Sequence, residues 1–338
     1  MVYLFCYTGG MLRIGVLRGG ISSEHEVSLK SGSAVLRALH GELAHKYKPL
    51  DILITRDGQW FLRGLPLDPK LLHQKVDVIV NGLHGYFGED GKVQKILDDM
   101  QIPYTGSGAL ASAIAMHKGL AKERFRELGV KTAQGIEVLY KDEYGEEHAK
   151  NITREIWERM GPPWIVKPIT GGSSVGTHLC KTFDELRSAL EENFQNKNSV
   201  LIEEFIDGRE ATVGVVNGYR GHDLYVLPPI EIVKPTSRPF FDFDAKYSGE
   251  SQEICPGNFT REDKEELMRL AQLIHEGLDL KHYSRSDFII HPRRGIYALE
   301  VNTLPGLTEQ SLLPKAIDSI GGTFHDFIDH LIQLAHKK

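Results

Sequence analysis

Asp287, Glu300 and Asn302, with Arg285 just before them, are polar residues in or beside a stretch that otherwise has the character of β-strand, SDFIIHPRRGIYALEVNTLPG from Ser286 to Gly306. The flanks are β-branched, aromatic and apolar, and PRRG between them reads as a turn. Taking Pro292 to Gly295 as a four-residue loop, His291 faces Ile296, Asp287 faces Glu300, and Arg285 faces Asn302. Directly opposed residues share a face, as do residues two apart on one strand. All four polar groups then emerge on one side, and Phe288, Ile290, Tyr297, Leu299 and Val301 form the core side.

Opposed carboxylates repel. At ~5 Å and an effective dielectric of about 20 the penalty is roughly 3 kcal/mol. A hard divalent cation removes it, because Mg²⁺ takes oxygen ligands and is held by one or two carboxylates together with substrate phosphates. Two acids splayed into solvent are the alternative, and the hairpin alone leaves both open.

VKPITGGSSVG is a second chemical stretch. Lys167 ends an apolar strand, and Gly171, Gly172, Ser173, Ser174 and Gly176 follow. Such a loop brings backbone N–H groups and hydroxyls onto phosphate oxygens, and the lysine adds a point charge. No GK[ST] follows, so it is not a Walker loop, and a flexible surface turn is the bland alternative. LIEEFIDGRE supplies Glu203, Glu204 and Glu210. Strand alternation separates Glu203 from Glu204. Either these acids meet the exocyclic amine and ribose hydroxyls of a nucleoside, or they are solvated. FFDFDAKYSGE places Lys246 and Tyr247 in a long loop, with Phe240 and Phe241 covering a base or anchoring the loop. His84 follows a strand, where α/β sheets place ligands, and Glu24 stands at a helix start, where the macrodipole favours an acid.

The elements around these groups alternate strand and helix. The chain has 338 residues, 41% hydrophobic and 25% charged, with a formal net charge of -6. That is a soluble globular composition with room for two or three domains, and its acidity argues against a general nucleic-acid or anionic-membrane surface. Cys6, Cys180 and Cys255 are far apart and fit a reduced compartment without a disulfide framework. The apolar start MVYLFCYTGG lacks a basic region and a cleavage site. LRIGVL and VDVIVNGL read as strands and KVQKILDDM as a helix. The run after RGG reads as a helix opened by a Ser23/Glu26 capping box. Together they give a parallel α/β domain to about residue 105. Ala109 to Leu128 reads as one helix, KDEYGEEHAKN as a polar excursion, and SVLIEEFIDGREATVGVVNG as a strand pair. Ile232 to Phe259 reads as a long functional loop, and FHDFIDHLIQLAHKK as a terminal amphipathic helix.

GGISSEHEVSLKSG, LHGYFGEDG, IPYTGSG, IVKPITGGSSVG, FDAKY, CPG and EVNTLPGLTEQSL occur in this order. With them the chain resembles the D-alanine–D-alanine ligases of the ATP-grasp superfamily from Leu12 to Leu334. The resemblance implies an α/β fold of ATP-grasp type. A Rossmann-like parallel α/β domain over 1–105 would precede two α+β subdomains, 106–204 and 205–338, enclosing the nucleotide. It implies ATP-driven joining of two D-alanines through an acylphosphate, for peptidoglycan precursor synthesis, in a cytoplasmic homodimer. Lys118, Lys167, Ser174, Glu203, Glu210 and Phe240, with the backbone of Glu204 and Ile206, are implied as nucleotide contacts. Asp287, Glu300 and Asn302 are implied as ligands of Mg²⁺ or Mn²⁺, with two ions expected. Arg285 and the backbone N–H of Gly306 are implied at the transition-state oxygens. Glu24, Ser173 and Tyr247 would form a network over the first substrate, beside His84. Lys246, Ser311 and the backbone of Leu312 are implied to hold the second carboxylate.

Three positions depart from the family pattern. Gly171 replaces a bulkier residue, His117 replaces an aspartate, and CPGNF replaces CPA. The nearest rival keeps the chemistry with D-lactate or D-serine as acceptor, and Tyr247 favours the dipeptide over D-lactate. A dinucleotide oxidoreductase is disfavoured because LRGGISSE lacks G-x-G-x-x-G. A non-catalytic nucleotide-binding regulator would leave the full catalytic set without a use.

Overall fold

The computed structural model describes residues 10–142, 146–172, 175–233 and 252–337. Two compact units result, one of residues 1–109 with 306–338 and the other of residues 110–305.

In the first unit, β1 (Leu12–Gly19) lies between β2 (Tyr47–Ile54) and β5 (Val78–Asn81), parallel to both. β3 (Trp60–Leu62) and β4 (Leu65–Pro66) extend the sheet antiparallel from β2, giving the order β4-β3-β2-β1-β5. Ile14, Val16 and Leu17 are fully buried, the signature of a central strand covered on both faces. Helix α1 (His25–His40) follows β1, and α2 (Lys92–Asp99) follows the loop after β5. The expected capping box does not form. Glu24, not Ser23, occupies the N-cap and no side chain caps the helix; in the turn before it Ser22 Oγ accepts from Glu24 N–H at 3.1 Å and donates to the His84 carbonyl at 2.6 Å.

The chain's last segment belongs to this unit and not, as expected, to a part running from 205 to 338. Helices Leu312–Ser319 and Phe324–His336 return to it, and Phe327, Ile328, Leu331, Ile332 and Ala335 are all fully buried. Asp329 fixes the contact, taking the Tyr47 hydroxyl and, at 2.7 Å, the Lys46 ammonium.

The second unit holds two sheets. β6 (Gly135–Val138), β7 (Trp164–Pro168), β8 (His178–Cys180) and β9 (Val200–Glu204) pair antiparallel in the order β6-β9-β7-β8. Trp164, Val166 and Ile202 pack under α5 (Glu146–Arg159) and α6 (Phe183–Gln195). α6 carries a complete Thr182/Glu185 capping box. The second sheet comprises β10 (Arg209–Asn217), β11 (Leu224–Val226), β12 (Ile230–Val233), β13 (Gln252–Ile254), β14 (Tyr283–His291) and β15 (Gly295–Asn302), in the order β13-β12-β10-β14-β15 with β11 beside β10. Helix Arg261–Gly277 packs on it through Leu267, Leu270, Ala271 and Ile274. The protein is thus an α/β protein of mixed and antiparallel sheets.

Four expectations change here. Helix 109–128 is two helices, α3 (Ala109–Met116) and α4 (Lys118–Glu127), broken where the His117 imidazole caps α4 by accepting from Leu120 N–H at 3.2 Å. The polar excursion runs into α5, whose Ala149, Ile152 and Ile156 give a narrow apolar stripe easily lost among charges. β9 and β10 do not pair, each joining a different sheet. The long loop begins and ends as paired strands, β12 with β13. Among the described residues no helix is long and apolar enough to cross a membrane.

Candidate active site

The β14–β15 hairpin presents the polar set as expected, by a route that differs in two places. The turn has three residues, since His291 pairs with Gly295. A bulge then inserts Leu299 between the Phe288–Ala298 and Asp287–Glu300 pairs. The extra residue cancels the shorter turn, so Asp287 does face Glu300 and Arg285 does face Asn302. The bulge also redistributes the apolar side. Phe288, Ala298 and Val301 join the main core, while Tyr297 and Leu299 pack separately with Ala133, Ile206 and Ile289.

Arg285 answers part of the charge problem. Its Nε and Nη2 donate to the two Asp287 carboxylate oxygens, each at 2.9 Å, and Thr212 Oγ1 donates to Oδ1 at 2.5 Å. Glu300 stands opposite, partly exposed. Asn302 Oδ1 accepts from Leu304 N–H at 2.9 Å, which ties the amide to the start of the Pro-Gly loop. Two carboxylates and an amide on one face are a hard oxygen set suited to Mg²⁺, and Glu300 supplies negative charge that Arg285 leaves unmatched. Among the described residues no group of three or more His, Cys, Asp or Glu is disposed to hold a metal, so the fit rests on this set.

The first sheet of the same unit contributes a buried charge cluster. Glu203 on β9 pairs with Ile165 on β7, which puts Lys167, two residues further on, on the same face. Lys167 Nζ lies 2.6 Å from Glu203 Oε2, and Lys122 Nζ, from α4, lies 2.5 Å from Oε1. Lys122 also donates to Thr132 Oγ1 at 2.9 Å. Burial alone would raise the Glu203 carboxyl, but the ammonium groups of Lys122 and Lys167 outweigh it and hold it below the usual range. Burial pushes Lys122 down to about 8, with the Lys167 charge adding to the fall and Glu203 opposing it. Sequence reasoning missed Lys122, because a lysine at helical spacing reads as solvated; Lys118, four residues earlier, was the only signal.

Lys118 Nζ donates to the Gly171 carbonyl at 2.6 Å, joining α4 to the glycine loop. Gly171 has φ +108, which L side chains avoid, so glycine here reflects backbone conformation. Glu204 Oε2 pairs with Arg294 at 2.7 Å, and its N–H donates to Gln134. Ile206 is buried, and Glu210 sits on β10 facing Ile232 and Ile289.

The first unit gathers a separate group. The Glu24 carboxylate lies beside Gly85 (φ +69), where a side-chain carbon would meet Oε2 at 2.6 Å. His84 is buried, with Nδ1 3.2 Å from Glu89 Oε1 and Nε2 2.8 Å from Ser31 Oγ. A carboxylate only accepts, so Nδ1 carries the proton and Nε2 accepts the Ser31 hydroxyl. Ser31 Oγ in turn accepts Leu307 N–H at 3.3 Å. Both His84 nitrogens are thereby engaged within the protein, and Ser31 and Glu89 are functional candidates that sequence reasoning passed over. Ser311 occupies the N-cap position of helix Leu312–Ser319 without a side-chain capping bond, its hydroxyl accepting from Thr308 N–H at 3.2 Å; the Leu312 N–H lies in the first turn, and Ser311 Oγ would lie 2.7 Å from a side-chain carbon at Gly306. Ser173, Ser174, Phe240, Lys246 and Tyr247 lie outside the described residues.

Two family models match the chain, the D-ala D-ala ligase N-terminus over residues 13–70 and 65–107 and the D-ala D-ala ligase C-terminus over 125–333. A D-alanine–D-alanine ligase of Geobacter sulfurreducens is 40% identical over 328 residues, covering 96% of this chain and 95% of its own. Among solved structures, a VanG D-Ala:D-Ser ligase from Enterococcus faecalis superposes with TM-score 0.82 at 29% identity, covering 96% of this chain and 100% of its own. A D-alanine–D-alanine ligase from Bacillus anthracis complexed with ATP superposes with TM-score 0.76 at 30% identity, covering 96% and 98%.

Proposed function

This chain belongs to the D-alanine–D-alanine ligase family, and on that premise we propose how its two groups of residues divide the work. The enzyme joins two D-alanines into D-alanyl-D-alanine at the expense of ATP, through an acylphosphate, in the synthesis of peptidoglycan precursors. The observation that carries the assignment of residues is the opposition of Asp287 and Glu300 with Arg285 bound alongside.

In our reading the second unit handles the nucleotide. Lys118, Lys167 and the glycine loop, including Ser174, take phosphate oxygens; Glu203, Glu210, Phe240 and the backbone of Glu204 and Ile206 take the nucleoside. Asp287, Glu300 and Asn302 would hold two Mg²⁺ or Mn²⁺ ions, which supply charge neutralisation at the phosphates. Arg285 and the Gly306 N–H serve the oxygens on which charge develops. The first unit's Glu24, with Ser173 and Tyr247, anchors the first ammonium; His84 orders the loop beside it, and Lys246, Ser311 and the Leu312 N–H hold the second carboxylate. We further propose that the two sheets of the second unit form two subdomains enclosing the nucleotide. A homodimer in the cytoplasm completes the reading.

The likeness to a D-Ala:D-Ser ligase keeps a different acceptor as the second reading. Coupled measurement of ADP release with Mg²⁺ across D-alanine, D-serine and D-lactate separates the two. Release should require D-alanine and stay weak with D-lactate at neutral pH. Equal rates with another acceptor would reassign specificity, and no release with any D-amino acid would remove the reading.

Ser31→Ala tests the His84 chain. The change strips a donor from His84 Nε2 and an acceptor from Leu307 N–H, a loss of about 1–3 kcal/mol. The KM for D-alanine should rise about tenfold while the KM for ATP stays within twofold. A KM for D-alanine that does not move would leave the chain a packing feature only.

A further inference from the structure

Glu203 is 3% exposed and carries an ammonium on each oxygen, Lys122 at 2.5 Å and Lys167 at 2.6 Å. One cation is enough to neutralise a buried carboxylate; a second leaves surplus positive charge where water cannot screen it. The two lysines are not equivalent. Lys122 is 2% exposed and is also bound to Thr132, whereas Lys167 is 8% exposed and stands one residue before the end of β7, the strand that leads into the glycine loop.

We propose that Lys122 is a positioning residue of the nucleotide site, retaining Glu203 so that Lys167 can lend its charge to a phosphate without stranding a buried carboxylate. This rests on the reading of Lys167 and Glu203 as nucleotide contacts. The ligand class is a nucleoside polyphosphate, whose anionic oxygens offset the surplus charge. Without Lys122, Lys167 would be the carboxylate's last counter-ion, and moving it to phosphate would leave Glu203 buried and alone. The groups whose charges bear on Lys122 are Glu203, Lys167 and, at longer range, Glu300.

The test is a double-substitution cycle read by calorimetric ADP binding in the presence of Mg²⁺ and by steady-state kinetics. Lys122→Met should weaken ADP binding and raise the KM for ATP by tenfold or more, with the KM for D-alanine within twofold. In a Glu203→Gln background no buried anion remains to protect, so adding Lys122→Met should change ADP affinity by less than threefold. A full tenfold loss in that background would make Lys122 a direct phosphate ligand and overturn the proposal. So would a Lys122→Met enzyme with unchanged affinity and a lowered melting temperature. Should Lys122→Met alone fail to fold, the charge-balanced pair still decides the matter against Glu203→Gln. If Lys167→Met and Glu203→Gln both bind ADP as the wild type does, the nucleotide assignment fails first.

Discussion

Glu300→Gln is expected to reduce turnover by roughly a thousandfold, equivalent to about 4 kcal/mol of barrier, while leaving the melting temperature within a few degrees. The substitution keeps shape and removes one negative charge from a face built to present two. Asp287 does not depend on Glu300 for its partners, since Arg285 and Thr212 occupy it. Losing the opposed charge relieves repulsion, so the fold should be no less stable. A hard cation, by contrast, loses a ligand that no neighbour replaces. Raising Mg²⁺ should recover only a fraction of the rate, because glutamine offers a neutral oxygen. Asp287→Asn should reduce turnover at least as far, with an additional cost of about 1–3 kcal/mol in stability from the weakened Arg285 pair. Glu300→Gln is therefore the sharper experiment, and normal Mg²⁺-dependent rates in that variant would show that the hairpin acids do not hold the metal.

The same hairpin shows what a sequence can and cannot convey. Period-two alternation places Asp287 opposite Glu300 as long as the sum of turn and bulge is right, and here a three-residue turn and the Leu299 bulge sum to the assumed loop. The end of the ladder was legible; the bulge was not, because an inserted leucine among Tyr297, Val301 and other apolar residues breaks no polarity pattern. Its consequence, Tyr297 and Leu299 moving beside Ile206 and Ile289, had no local signal.

β1 and β5, short apolar runs bounded by turn residues, and α2, with apolar residues at helical spacing, were legible for the converse reason. The junction at His117 was hidden because a histidine reads as an ordinary helical residue until its ring accepts an N–H. Lys122 was hidden by distance. Its partners Glu203 and Lys167 are remote in sequence, and only the antiparallel pairing of β7 with β9 brings those two to one face. The same holds for Ser31, which meets Leu307 across most of the chain. Charges that find each other through tertiary structure leave no mark in a window of a dozen residues.

Acidification should expose another such pairing, the burial of His275 between a helix and two strands. His275 is 1% exposed, with Nδ1 2.7 Å from Ser284 Oγ and Nε2 3.0 Å from Asn217 Oδ1. The Asn217 oxygen accepts from Nε2–H, so the Ser284 hydroxyl donates to Nδ1 and the ring is neutral. Burial pushes its pKa down to about 4, aided by the positive Lys281 and by His282 and opposed by Asp279. The unfolded chain takes up this proton near pH 6.5 and the folded chain only near pH 4. Between those values the unfolded state binds more protons, so stability falls as pH falls, by roughly 3 kcal/mol across the window. Above pH 6.5 the group contributes no slope. Urea unfolding at pH 7 and pH 4.5 should therefore show a large loss in the wild type. The loss should shrink by about 2 kcal/mol in His275→Gln, which cannot titrate. Carboxylates contribute equally to both proteins, so the difference isolates the histidine. Identical pH slopes in the two would mean that His275 is already protonated in the fold, with Asn217 and Ser284 both turned to accept.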